Sequence, residues 1–77
     1  MGNMKYIIVE DHTGNYAPYI FPVWVKHSDF ARKLSYMALI SAGFVKIVDG
    51  KISTYGGSVS LNVKSSKKDE EIISKFF

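Results

Sequence analysis

The chain contains no cysteine, two prolines, one arginine and one tryptophan among 77 residues. Without cysteine there is neither a disulfide framework nor a thiolate metal site, so stability must come from packing. With Arg32 as the only guanidinium, nine of the ten basic residues are lysines. That composition argues against bidentate reading of guanine or phosphate, which is arginine chemistry. The longest apolar runs fall far short of the roughly 20 residues that cross a bilayer, and the start of the chain lacks the basic-then-apolar pattern of a secretory signal. The expectation is one soluble, cytoplasmic domain spanning 1–77, with no membrane partner. An apolar fraction of 47% and a net charge of +3 make it a mildly basic globular chain rather than a disordered one.

The strongest local signal is Asp49-Gly50, flanked by the β-rich runs Phe44 to Val48 and Lys51 to Tyr55. A two-residue reversal of this kind predicts a hairpin in which Val48 faces Lys51, Ile47 faces Ile52, Lys46 faces Ser53, Val45 faces Thr54 and Phe44 faces Tyr55. One face then carries Val45, Ile47, Ile52 and Thr54 and is expected to be buried. The other carries Lys46, Lys51, Ser53, Val48 and the Phe44 and Tyr55 pair, and is expected to be at least partly wet.

Upstream, Lys5 to Glu10 is short and β-branched, and Asp11 to Asn15 is a cluster of turn formers. Tyr16 to Phe21 predicts a second strand, placed at a sheet edge by Pro18 and Pro22. Ser28 is a candidate cap for a helix with Phe30, Ala31, Leu34 and Ala38 at helical spacing on one face; it either runs to Ala42 with Gly43 as its C-terminal cap or, the favoured reading, stops near Tyr36. Leu39 to Ser41 then enters the hairpin through a small-residue bend at Ala42-Gly43. Past Gly56-Gly57, the alternation from Ser58 to Lys64 predicts one half-buried strand with Val59, Leu61 and Val63 inward. The last segment predicts a terminal helix with Asp69, Glu70 and Glu71 near its start and the stripe Ile72, Ile73, Phe76 and Phe77. The expected fold is α+β in the order ββαβββα, a mainly antiparallel sheet with both helices on one face.

Catalytic chemistry lacks parts. Nucleophilic arrangements are missing, and Tyr55-Gly56-Gly57-Ser58 lacks the lysine of a phosphate loop and opens no helix. Glu10, Asp11 and His12 offer oxygen and nitrogen ligands, but adjacent strand residues face opposite ways and a closed metal site needs a distant ligand. No enzyme, cofactor or metal site is expected. Eleven aromatics exceed what one small core requires, so Tyr16, Tyr19, Phe21 and Trp24 are the candidate protein-interaction surface, for a partner protein or a second copy in a homo-oligomer. The alternative is a weak nucleic-acid-binding face made of Phe44, Lys46, Lys51 and Tyr55, where lysines hold phosphate and rings stack on bases.

Three segments, Ser41-Ala42-Gly43-Phe44-Val45, Tyr55-Gly56-Gly57-Ser58-Val59-Ser60-Leu61, and Lys64-Ser65-Ser66 with Asp69-Glu70-Glu71-Ile72-Ile73, resemble those of small uncharacterised phage and prophage proteins. The resemblance covers the C-terminal half and transfers no site residue. It implies an accessory protein that binds a host protein, and so a contact function.

Overall fold

The computed structural model describes residues 3–76. The fold is α+β. Strands β1 (Asn3–Glu10), β2 (Tyr16–Phe21), β3 (Ala38–Val48) and β4 (Lys51–Tyr55) form an antiparallel sheet in the order β2-β1-β3-β4. Helix α1 (His27–Ala31) lies between β2 and β3, a small ribbon of β5 (Gly57–Ser58) and β6 (Val63–Lys64) follows β4, and α2 (Lys68–Ser74) ends the chain.

The central strand, β1, is buried on both faces, with Tyr6, Ile7, Ile8 and Val9 at most 1% exposed. Because side chains alternate along a strand, it feeds two cores. Ile7 and Val9 join Phe21, Ala31, Ala42, Phe30, Leu34, Leu61 and Val63 under α1 and the ribbon, whereas Tyr6 and Ile8 join Val45, Ile47, Ile52, Ile72 and Ile73 over α2. The helices therefore cover opposite faces, not one. A continuous apolar run in β1 was the sequence mark of that arrangement.

The second core encloses a polar group. Asp69 is 1% exposed. Its carboxylate accepts from the Tyr6 hydroxyl, from Ser41 Oγ at 2.8 Å and from the Ser66 N–H at 2.8 Å. Ser66 replies with its own Oγ, which accepts from the Lys68 N–H at 3.3 Å, so the start of α2 is closed by a reciprocal box one residue ahead of its N-cap, Lys67. Burial first, then the bond to Asp69 and its charge, hold the Tyr6 phenol protonated well above its ordinary range.

Ser41 reaches Asp69 because β3 is irregular. The β1–β3 register shifts between Ile8, opposite Ser41, and Val9, opposite Leu39, leaving Ile40 as the extra residue. A bulge breaks the alternation, so Ile40 and Ser41 both face α2. No bend occurs at Ala42-Gly43; β3 runs unbroken through both. Gly43 is needed there for another reason, since a Cβ would lie 2.7 Å from the Tyr55 carbonyl oxygen.

Three further expectations change. The first helix stops at Ala31, with tight bonds from Lys33 N to Phe30 O and from Leu34 N to Ala31 O, and its N-cap is Lys26 rather than a bonded Ser28. The alternating segment 58–64 is a reversal and not one strand. Ser58 Oγ accepts from the Leu61 N–H at 3.2 Å, and Asn62 takes a φ of 56°, so the chain folds back, burying Leu61 and Val63 against the sheet and leaving Val59 fully exposed. Of the expected apolar stripe, Ile73 is fully buried and Ile72 half-buried in α2, and Phe76 lies beyond the helix with 60% exposure. Phe77 falls outside the described residues.

Asp69→Ala leaves two buried hydroxyls and one N–H without their acceptor. Each unsatisfied buried group costs about 1–3 kcal/mol, so urea denaturation should show a loss of about 3 kcal/mol or more; a loss under about 1 kcal/mol would mean that the network is dispensable.

Candidate functional site

The hairpin has the register its turn dictates: Phe44 opposite Tyr55, Lys46 opposite Ser53 and Val48 opposite Lys51. Asp49 and Gly50 take φ values of 50° and 79°, the left-handed pair that a twisted two-residue turn requires. All six partnered residues share the face on which α1 lies. That helix and the ribbon cover the half of the face over Ile7, Val9 and Ala42, so among the described residues the hairpin end stays open.

At the border of the covered half, Phe44 and Tyr55 stack across the strands with centroids 5.6 Å apart and planes 18° from parallel. Phe44 is half-buried and held on two more sides. The His27 ring meets it edge-on at 5.9 Å, and a Cβ at Gly56 would come within 3.2 Å of it. Tyr55 is the exposed member, at 42%. Phe44 thus positions a ring that Tyr55 presents.

Lys46, Lys51 and Ser53 are exposed beside this stack. Among the described residues, ion pairs join Arg32 to Asp29 and Lys75 to Glu71, and neither involves these lysines. Lys5, opposite Phe44, donates to the Val25 carbonyl at 2.8 Å and ties the β2–α1 loop to the border of the patch. Asp69 and Glu70 are engaged on the α2 side, Glu70 through its bond from the Thr54 N–H. The open end of the sheet therefore combines a stacking platform with unpaired ammonium groups. It suits a ligand that is planar in part and anionic in part.

The aromatic segment 16–24 does not form one surface. Phe21, expected as a contact residue, is 2% exposed: it stacks on Phe30 at 4.2 Å and meets His27 edge-on at 5.5 Å, as the inward partner of α1. Tyr16 and Tyr19, an odd number of strand positions apart, point to opposite faces. Tyr16 borders a shallow depression with Ile72, Lys75 and Phe76 on the α2 side, whereas Tyr19 packs against Phe30 at 6.1 Å on the α1 side. Trp24, in the loop that Lys5 anchors, is 82% exposed.

The acidic and imidazole cluster after β1 is local turn structure. Asp11 Oδ1 accepts from Thr13 Oγ1 at 2.6 Å, Thr13 N at 2.9 Å and Asn15 N at 3.0 Å. The Thr13 hydroxyl, then the two backbone donors, hold that carboxyl below its usual range. His12 turns away to Ser35 at 2.9 Å. Among the described residues no group of three or more histidine and carboxylate side chains is placed to hold a metal ion, and no helix is long and apolar enough to cross a membrane.

Sequence reasoning missed His27, whose ring wedges between Phe21 and Phe44. Its Nε2 lies 2.9 Å from the Gly43 carbonyl oxygen, and since a carbonyl only accepts, Nε2 carries the proton. No spacing or motif marks such a residue; its role comes from β2 and β3 converging on the first residue of α1. Comparison with protein-family models, with curated proteins and with solved structures gives no match to this chain.

Burial holds the His27 imidazole below its ordinary value of 6.5, against the bond to Gly43 and with help from the Lys5 charge. The unfolded chain therefore takes up the proton first. The contribution to stability is complete above 6.5 and is lost as pH falls below it toward the folded value. Urea midpoints should drop between about pH 7.5 and about pH 5, and His27→Gln, which retains a donor for Gly43, should flatten that slope. An equally steep slope in the variant would assign the effect elsewhere.

Proposed function

We propose that this protein is a non-enzymatic binding module whose contact surface is the open end of its sheet and whose ligand is single-stranded nucleic acid. The observation that carries this reading is the Phe44 and Tyr55 stack, presented beside Lys46 and Lys51 on a part of the sheet that no other element covers among the described residues. Stacking on an exposed ring is tolerant of sequence and requires unpaired bases, which favours a single strand over a duplex. Lysines supply phosphate contacts without the forked geometry that reads bases. A net charge of +3 sets a modest affinity with strong salt dependence.

Fluorescence anisotropy with a short labelled oligonucleotide tests this. Tyr55→Ala should weaken binding about 10-fold, in line with roughly 1–3 kcal/mol per stacked base. Lys46→Glu should weaken it at least as much and lower the salt slope by about one or two. Binding that ignores salt, or that survives both substitutions, sinks the reading.

A second reading rests on a different observation, the 82% exposure of Trp24. Tryptophan is enriched among the residues that anchor protein interfaces, and the resemblance to small phage and prophage proteins favours a host protein as partner. On this reading Trp24→Ala abolishes capture of that partner in a pull-down while circular dichroism stays native. Capture undiminished in the variant would remove Trp24 as an anchor.

A further inference from the structure

The two edges of the sheet are closed by different means. In an antiparallel ladder alternate residues turn their N–H and C=O toward the neighbour, and the residues between turn theirs outward. In β2 the N–H of Asp11 bonding Asn15 O sets the phase, so Tyr16, Pro18 and Ile20 are the outward residues, and the middle one has no donor. That edge is blunt by its chemistry. In β4 the turn at Asp49-Gly50 sets the phase: Lys51, Ser53 and Tyr55 bond to β3, and Ile52 and Thr54 face outward. The Thr54 N–H is occupied by Glu70 Oε2, reaching from α2 at 2.9 Å. This second closure is one side chain that can leave.

We propose that the outer edge of β4 is a self-association edge held shut by Glu70, and that on its release two copies of this chain pair β4 to β4 in antiparallel register about a two-fold axis at Ser53. That register pairs Ile52 of one copy with Thr54 of the other, so each exchanges both backbone bonds with its partner. On the open face it sets Ser53 opposite Ser53 and Lys51 of each copy opposite Tyr55 of the other. The ammonium thus meets a ring rather than a second ammonium, and no like charges stand opposite each other. On the α2 side Ile52 meets Thr54, two residues suited to a sheet. Since β2 lacks the central donor, pairing closes at a dimer and does not run on into a filament. The two open ends then lie side by side as one continuous surface. The self-pairing goes beyond the nucleic-acid reading and does not require it.

Analytical ultracentrifugation without oligonucleotide tests this alone, so failure here and failure of nucleic-acid binding are told apart. Glu70→Ala should lower the dimer dissociation constant at least about 10-fold relative to the unaltered chain. Glu70→Gln, whose amide oxygen still accepts from Thr54, should stay with the unaltered chain. Adding Thr54→Pro to Glu70→Ala removes the outward donor without touching a β3 bond and should restore the monomer. If circular dichroism shows Glu70→Ala to be unfolded, Glu70→Asp, one methylene too short, carries the same expectation. A folded Glu70→Ala or Glu70→Asp chain no more dimeric than the unaltered one overturns the proposal, as does a dimer that persists with Thr54→Pro.

Discussion

A single buried carboxylate joins the three parts of this molecule that are most distant in sequence. Asp69 sits in the first turn of α2 and takes hydrogen bonds from Tyr6 on β1, from Ser41 on β3 and from the backbone of Ser66. A carboxylate away from water is costly unless its oxygens are satisfied, and three donors satisfy these. The consequence is directional: hydrophobic contact between Ile73 and the sheet would tolerate sliding, but hydrogen bonds to two strands do not. They set the depth and the rotation of α2, and with them the place of Glu70, one residue on, at the Thr54 amide.

The remaining architecture follows from how each face and edge of the sheet is covered. The α2 side is filled along its length by isoleucines. The α1 side has only a five-residue helix and a short ribbon, too little to cover four strands. What is left over is the hairpin end, where charged and aromatic side chains share a surface because the strand pairing puts them there. His27 marks the boundary: on one side of it Phe21 is sealed in the core, and on the other Phe44 supports an exposed Tyr55. The aromatic surplus of the sequence is therefore divided between core and surface by position and not by residue type.

Much of the fold was legible in the chain. The Asp-Gly reversal specified the β3–β4 register residue by residue and Pro18 marked an edge strand. The apolar run Tyr6 to Val9 announced a strand, but that both its faces are sealed was decided by the docking of the two helices on opposite sides. The four residues of the open face were legible for the same reason, because a turn of known length determines which side chains are neighbours. The aromatic segment was not. Alternation alone separates Tyr16 from Tyr19, but that Phe21 is sealed depends on where α1 comes to rest. The segment 58–64 was misread because a serine hydroxyl competed with the strand for a backbone N–H, a contest that a pattern of polar and apolar residues does not record.

The sequence by itself determined the geometry of the hairpin: where it turns and which side chains it aligns. Tertiary structure decided whatever needed a distant partner. The bulge at Ile40 turned Ser41 toward Asp69, the convergence of β2 and β3 buried His27, and the docking of α2 delivered Glu70 to the free edge. The physical reason is range. Turn and strand preferences act between residues a few bonds apart, whereas a buried polar bond exists only when separate elements arrive together and exclude water.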